Sequence, residues 1–232
     1  MSEPDRPAPI HGDLSQRVVV DTATLDWTRS PSQTVWRKRL HRVGAAESGQ
    51  VTSIVRYEAG ARFPLHEHPE GEEILVLDGV FSDEHGDWPA GTWLLNPEGF
   101  RHAPFSREGC LLFVKLRQAA GHARRHIELR TDEMPWCASE FEGIERKRLA
   151  EEAAFPDSTW LERWRPGASP GLRSLSGGAE IFVLEGSFLD DLGEYREGSW
   201  LRLPMNSNHH PISREGCVLY VKYSGLGALR SA

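Results

Sequence analysis

"GEEILVLDGVFSDEHGDWPAGTWLLNPEGFRHAPFSREGCLLFVK", residues 71–115, returns later in the chain as "GAEIFVLEGSFLDDLGEYREGSWLRLPMNSNHHPISREGCVLYVK", residues 178–222. A shift of 107 positions superposes the two without a gap, and about half of the aligned residues are identical. Working outward, Gly60 meets Gly167. After a two-residue slip, Arg37-Lys38-Arg39-Leu40 meets Arg146-Lys147-Arg148-Leu149, and Trp27 meets Trp136. The repeat predicts two copies of one fold, over roughly 17–116 and 126–223. The corresponding domains are 17–118 and 119–232, behind a loose tail over 1–16.

Within each copy the apolar residues fall in short runs, such as "EILVLDGVF", "TWLLNP" and "CLLFVKL", punctuated every eight to twelve residues by glycine, proline or aspartate. That spacing predicts an all-β sandwich or barrel rather than helices. The best helix candidate, "RKRLAEEAAF" at 146–155, is short. Two β-barrels in tandem are expected.

Composition narrows the partners. The chain has 232 residues with 26% charged and 39% hydrophobic residues, as in globular domains with a sizeable core. Net charge is −7 and the basic residues are scattered, which argues against nucleic acid. No apolar run reaches membrane-span length, and the N-terminus has no apolar signal core; a cytoplasmic protein is expected. Cys110, Cys137 and Cys217 are odd in number and lack C-x-x-C spacing, so neither a disulfide framework nor a cysteine zinc site is expected.

The first copy carries an unusual polar cluster in "GARFPLHEHPEGEEILVLDG", residues 60–79. His66 and His68, at i and i+2 of a strand, project from one face. Pro69 and Gly71 can turn the chain so that Glu72 opens the next strand nearby, and His102 follows the turn signal "NPEG". Three imidazoles and a carboxylate are costly to bury unpaired, and together they can form a metal shell with open positions. His66, His68, Glu72 and His102 are the candidate ligands.

These residues carry a resemblance. Gly60, His66-x-His68, Glu72 and Gly79 resemble the first cupin motif in residues and spacing; Gly91, Pro97-x-Gly99 and His102 resemble the second. Ser106 stands where that motif often has asparagine. The cupin likeness implies a tandem pair of double-stranded β-helix barrels. More narrowly, "HPEGEEILVLDGVFSDEHGDWPAGTWLLNPEGFRH" resembles the cupin domain of the ChrR family of anti-sigma factors. This implies His66, His68, Glu72 and His102 as ligands of one divalent ion per chain, with zinc as the implied metal; iron, manganese and nickel also suit the cupin set. ChrR couples its cupin to a helical sigma-binding domain with its own zinc site. No C-x-x-C or long N-terminal extension is present here, so direct sigma-factor binding by this chain is not expected.

In the second copy the 107-residue offset places Arg173 at His66, Leu175 at His68 and Ala179 at Glu72, keeping only His209 for His102. A metal-free second barrel is expected. His209 and His210, adjacent on a strand, would face opposite sides. Two readings of Arg173 stand: it enters the lumen and replaces the ion's charge, meeting His209, a carboxylate or a carbonyl, or the strand edge has frayed in the serine- and glycine-rich "SPGLRSLSGG" and Arg173 faces solvent. Glu73 persists as Glu180 and reads as structural, as do Trp93 and Trp200. His85 reads as an exposed turn residue.

Two functional classes follow. The first is a metal-dependent sensor or regulatory module for an unidentified small molecule, acting as monomer or homodimer. The second is a non-haem iron dioxygenase cleaving a small diketone or hydroxyketone. The sequence offers no evident general base beyond the ligands, which favours the sensor.

Overall fold

The computed structural model describes residues 7–45 and 48–231. Among the described residues strands dominate, and the helical content is two short 3-10 turns, Thr22–Thr24 and Gly225–Ala228. The sequence "RKRLAEEAAF" forms no helix: its first half belongs to the strand Ile144–Glu151.

Chain contacts divide the molecule into two units, one of Met1–Gly12, Leu25–Glu133 and Arg230–Ala232, the other of Asp13–Thr24 and Met134–Leu229. The first holds an eight-stranded antiparallel sheet in the order Ile127–Arg130, Thr92–Asn96, Glu72–Ser82, Cys110–Leu116, Gln50–Tyr57, Val35–Val43, Thr28–Arg29, with Asp87–Pro89 folding back on Glu72–Ser82. A separate two-stranded sheet pairs His66–His68 with Phe100–His102. The second unit repeats the plan: its sheet runs Val18–Asp21, Ser199–Leu203, Ala179–Asp190, Cys217–Tyr223, Ser158–Trp164, Ile144–Glu151, Cys137–Ala138, and its small sheet pairs Arg173–Leu175 with Ser207–His209. Each unit is a double-stranded β-helix barrel.

The division departs from a cut between 118 and 119. Val18–Asp21 pairs with Ser199–Leu203, whereas its repeat equivalent Ile127–Arg130 pairs with Thr92–Asn96. One edge of each large sheet is therefore formed by a strand from the other repeat, which pairs backbone groups that a bare edge would leave open. Part of the expected tail is also fixed. Ile10 and Arg42 exchange two backbone hydrogen bonds of 2.9 Å, and the carbonyl of Asp13 accepts one from Arg202 at 2.7 Å. Residues 1–6 of that segment lie outside the described residues.

Strand alternation builds both cores from equivalent positions. Ile74, Val76, Leu94, Leu112 and Val114 pack inside the first barrel; Ile181, Val183, Leu201, Leu219 and Val221 do so in the second. Burying each such side chain stabilises by about 1.5–3 kcal/mol. Trp93 and Trp200 are fully buried, as their shared position predicts. Gly79 has φ 72°, and a Cβ there would collide with the carbonyl oxygen of Gly109. Gly186 meets Gly216 in the same way, so this close strand approach is kept in both copies. Cys110 and Cys217 are buried free thiols, with pKa values pushed up by burial to about 11 and about 12, while free Cys137 is exposed. Neither buried thiol is poised for reaction.

Candidate metal centre

The small sheet of the first barrel places the histidines. His66 lies opposite His102 in its register, and His68 opposite Phe100, so all four share one face. Ring centroids of the three histidines are 4.8 to 5.2 Å apart. After His68 the chain turns at Gly71, whose N–H donates to the carbonyl of His68 at 3.1 Å. Gly71 has φ 71°, and a Cβ would press on the carbonyl oxygen of Ala119 at 2.7 Å. This turn delivers Glu72 as the first residue of Glu72–Ser82, pointing at the histidines.

The donor atoms converge. Nε2 of His68 is 2.9 Å from Nε2 of His102, and these nitrogens lie 3.5 and 3.6 Å from Oε2 of Glu72. His66, His68 and His102 form a group with ligand atoms within 4.8 Å of one another, able to hold a metal ion. Donors bound at about 2.1 Å stand about 3.0–3.4 Å apart around one ion, and the observed separations of 2.9, 3.5 and 3.6 Å lie close to that range. His68, Glu72 and His102 are buried, and His66 is half-buried at the mouth.

Outer contacts fix which nitrogens face inward. Nδ1 of His66 donates to the carbonyl of Pro64 at 2.9 Å, and Nδ1 of His102 donates to Oδ2 of Asp83 at 2.9 Å. Each leaves Nε2 with a lone pair toward the centre, the usual support of a metal-bound imidazole. Asn96, the cross-strand neighbour of Glu72, donates to its Oε2 at 2.9 Å.

Charge follows geometry. Burial pushes Glu72 upward, but His68, His102 and the Asn96 hydrogen bond outweigh it and hold the carboxyl below its usual range. Burial lowers the pKa of His68. Burial also works against charge on His102, but the Asp83 hydrogen bond and the Glu72 and Asp83 charges overcome it and raise that pKa. An ionised Glu72 amid imidazoles is the state that receives a cation.

Asp83 and Asn96 escaped the sequence reading. A signal was present for both: Asp83 persists as Asp190, and Asn96 becomes Leu203 where Glu72 becomes Ala179. Glu73 pairs with Lys115 in the strand register, on the sheet face opposite Glu72, which agrees with a structural part. His85 is exposed. Asp83, Glu84 and His85 also gather, but Asp83 is committed to His102, and Glu84 accepts the Ala103 N–H at 2.8 Å.

In the second barrel Arg173 lies opposite His209, and the two line the lumen with Leu175 and Ala179. His209 is buried at the end of Ser207–His209, and His210, just past that strand, is exposed. The guanidinium of Arg173 does not meet the expected carboxylate or carbonyl. It sits 4.7 Å from the ring centre of Phe141 and 5.5 Å from that of Tyr223. The lumen carboxylate, Glu162, is taken by Arg146, with Nε 2.9 Å and Nη2 2.8 Å from its Oε1. His209 turns Nε2 to Oδ2 of Asp190 at 3.1 Å, a carboxylate also held by Arg17 at 2.7 Å and by the Tyr195 hydroxyl at 2.8 Å.

The ChrR cupin-like domain family matches residues 15–120 and again 124–226. The chain belongs to that family. Among solved structures, the fold is similar to a dioxygenase candidate from Nostoc punctiforme, with TM-score 0.74 and 16% identity over 89% of this chain and 82% of that one. It is also similar to oxalate decarboxylase from Bacillus subtilis, with TM-score 0.61 and 14% identity over 93% and 78% of the two chains. A third likeness is a bacterial pirin from Escherichia coli solved with nickel(II), with TM-score 0.66 and 12% identity over 94% and 100%. No curated protein matches the sequence. This member of the ChrR cupin-like family thus shares its duplicated barrel with proteins of several activities, and those likenesses establish the fold alone.

Proposed function

We propose that this ChrR-like bicupin is a metal-dependent sensor or regulatory module that binds a small molecule. One divalent ion, zinc, sits in the first barrel on His66, His68, Glu72 and His102. The observation that carries this reading is the convergence of three imidazoles with Glu72, two of them 3.5 and 3.6 Å from its carboxylate, in a chamber otherwise lined mainly by apolar side chains. Among the described lining residues outside that set there is no histidine, aspartate or glutamate to serve as a general base. Tyr57 also lines the chamber, and burial drives its pKa far up, so it stays a neutral donor. A bound ion would supply Lewis acidity and open positions; the protein's own part is to hold it, orient the ligand and exclude water. The module is proposed to work in the cytoplasm, without contacting a sigma factor itself. Among the described residues no helix is long and apolar enough to cross a membrane.

A second reading is favoured by the apolar chamber and by the Nostoc neighbour: a non-haem iron dioxygenase acting on a small diketone or hydroxyketone. Elemental analysis of protein purified from its native host separates the two. Zinc at one per chain supports the module. Iron, with oxygen consumption on adding acetylacetone, replaces it with the enzyme.

A further inference from the structure

The second barrel keeps a lumen although it has lost the candidate ligands. At the end where the first barrel gathers His66, His68 and Glu72, it has Arg173, Leu175 and Ala179, and Leu203 stands in place of Asn96. A polar end has become an apolar one around a guanidinium. Arg173 is half-buried, and Leu172 beside it is 69% exposed, so the cation sits at the rim of the opening.

The other charges of this lumen balance one another. Among the described lining residues the carboxylate is Glu162. It accepts from Nε and Nη2 of Arg146 at 2.9 and 2.8 Å, from the Tyr223 hydroxyl at 3.0 Å and from Trp164 Nε1 at 2.9 Å. His209, the register partner of Arg173, turns Nε2 to Asp190, and burial holds its pKa down, so it stays neutral. Arg173 therefore brings a positive charge of its own to an apolar chamber, where attraction to an anion is strengthened. Its guanidinium carbon lies over the rings of Phe141 and Tyr223. Stacking on a ring uses the face of a guanidinium, and forking onto a carboxylate uses its N–H edge, so one side chain can do both. The empty space, about 360 Å³ counted to its open mouth, suits a molecule of a few carbons.

We propose that the second barrel is a metal-independent receptor for a small monocarboxylate, which pairs its anionic end with the N–H edge of Arg173 and lays a short apolar chain on Leu175, Ala179 and Phe188. The loss of the ligands then changes what the barrel binds rather than ending its capacity to bind. This site does not depend on the metal reading of the first barrel.

Isotopically labelled full-length protein titrated with propionate provides the test, read by NMR. Backbone amides of Arg173–Leu175 and Ser207–His209 are expected to shift saturably, with and without a metal chelator. Neutral propionamide and tetrahedral phosphate should leave them in place at the same concentration. Arg173→Gln should weaken propionate binding at least about tenfold, the loss of a charge-assisted contact. In the parent protein the side-chain Nε–H signal of Arg173 should move together with those amides. That reading needs no variant and decides the matter if Arg173→Gln does not fold. No saturable shift, an affinity unchanged by Arg173→Gln, or a response that the chelator abolishes overturns the inference. An equal response to propionamide or to phosphate overturns the carboxylate class. Shifts confined to His66–His68 and Phe100–His102 would put the anion in the first barrel and overturn it as well.

Discussion

Asp83 holds Nδ1 of His102 at 2.9 Å, beneath the three-histidine face and itself buried. The carboxylate fixes the imidazole tautomer and raises its basicity, so it would support a metal held by His102 without being a ligand itself. Asp83→Ala should therefore weaken divalent metal binding by about 10- to 100-fold, the usual cost of losing such a partner. Competition against a chelating dye measures it. An unchanged affinity in a folded variant would remove Asp83 from the site.

The contrast between the barrels predicts a stoichiometry. Dialysed, metal-loaded protein should carry one divalent ion per chain by elemental analysis. His102→Ala should lose it, since that side chain contributes a donor facing both His68 and Glu72. His209→Ala should keep it, because His209 is surrounded by Arg173, Leu175 and Ala179 where the first barrel has the candidate ligands His66, His68 and Glu72. Two ions per chain would contradict the ligand assignment.

The duplication and the clustering of the histidines were legible in the sequence for a physical reason. Strand alternation converts H-x-H into two side chains on one face, and repeated glycines mark backbone approaches that no other residue fits. What stayed hidden were contacts across strands. The pairing of Asn96 with Glu72, of Asp83 with His102 and of Arg146 with Glu162 depends on register, and no spacing within one strand reveals it. The exchange of Val18–Asp21 and Ile127–Arg130 between repeats was hidden likewise, because a repeat alignment assigns residues to copies and says nothing of which edge they cover.

Asp190 is expected to make the second barrel acid-sensitive. Burial pushes its carboxyl up, but the Leu192 N–H, the Tyr195 hydroxyl and the Arg17 charge outweigh this and hold its pKa below the usual value. A depressed carboxyl stabilises the fold above its unfolded pKa, and that contribution disappears as pH falls through the folded value. Stability of this unit should thus decline below about pH 4, the ordinary aspartate range. Asp190→Asn should be less stable at neutral pH and show a flatter acid limb in urea melts. Identical pH profiles for the two proteins would show that the network contributes nothing.

Arg173 stands where the first barrel has the candidate ligand His66, and its charge rests on the faces of Phe141 and Tyr223. Contacts of this kind contribute about 0.5–2 kcal/mol according to how dry they are. The long side chain also fills lumen space, so charge and packing must be separated. Arg173→Met keeps much of the stem and removes the cation; Arg173→Ala removes both. If the cation holds the lumen together, Arg173→Met should lose roughly 1 kcal/mol, and Arg173→Ala somewhat more for the missing methylenes. Amide exchange in Arg173–Leu175 and Ser207–His209 should accelerate in both variants, because Arg173 and His209 are register partners in that two-stranded sheet. Metal content of the first barrel should stay at one ion per chain. If Arg173→Met matches the parent in urea melts and exchange while Arg173→Ala does not, the side chain acts as filler, and the charge that replaced His66 plays no part in keeping the second barrel folded.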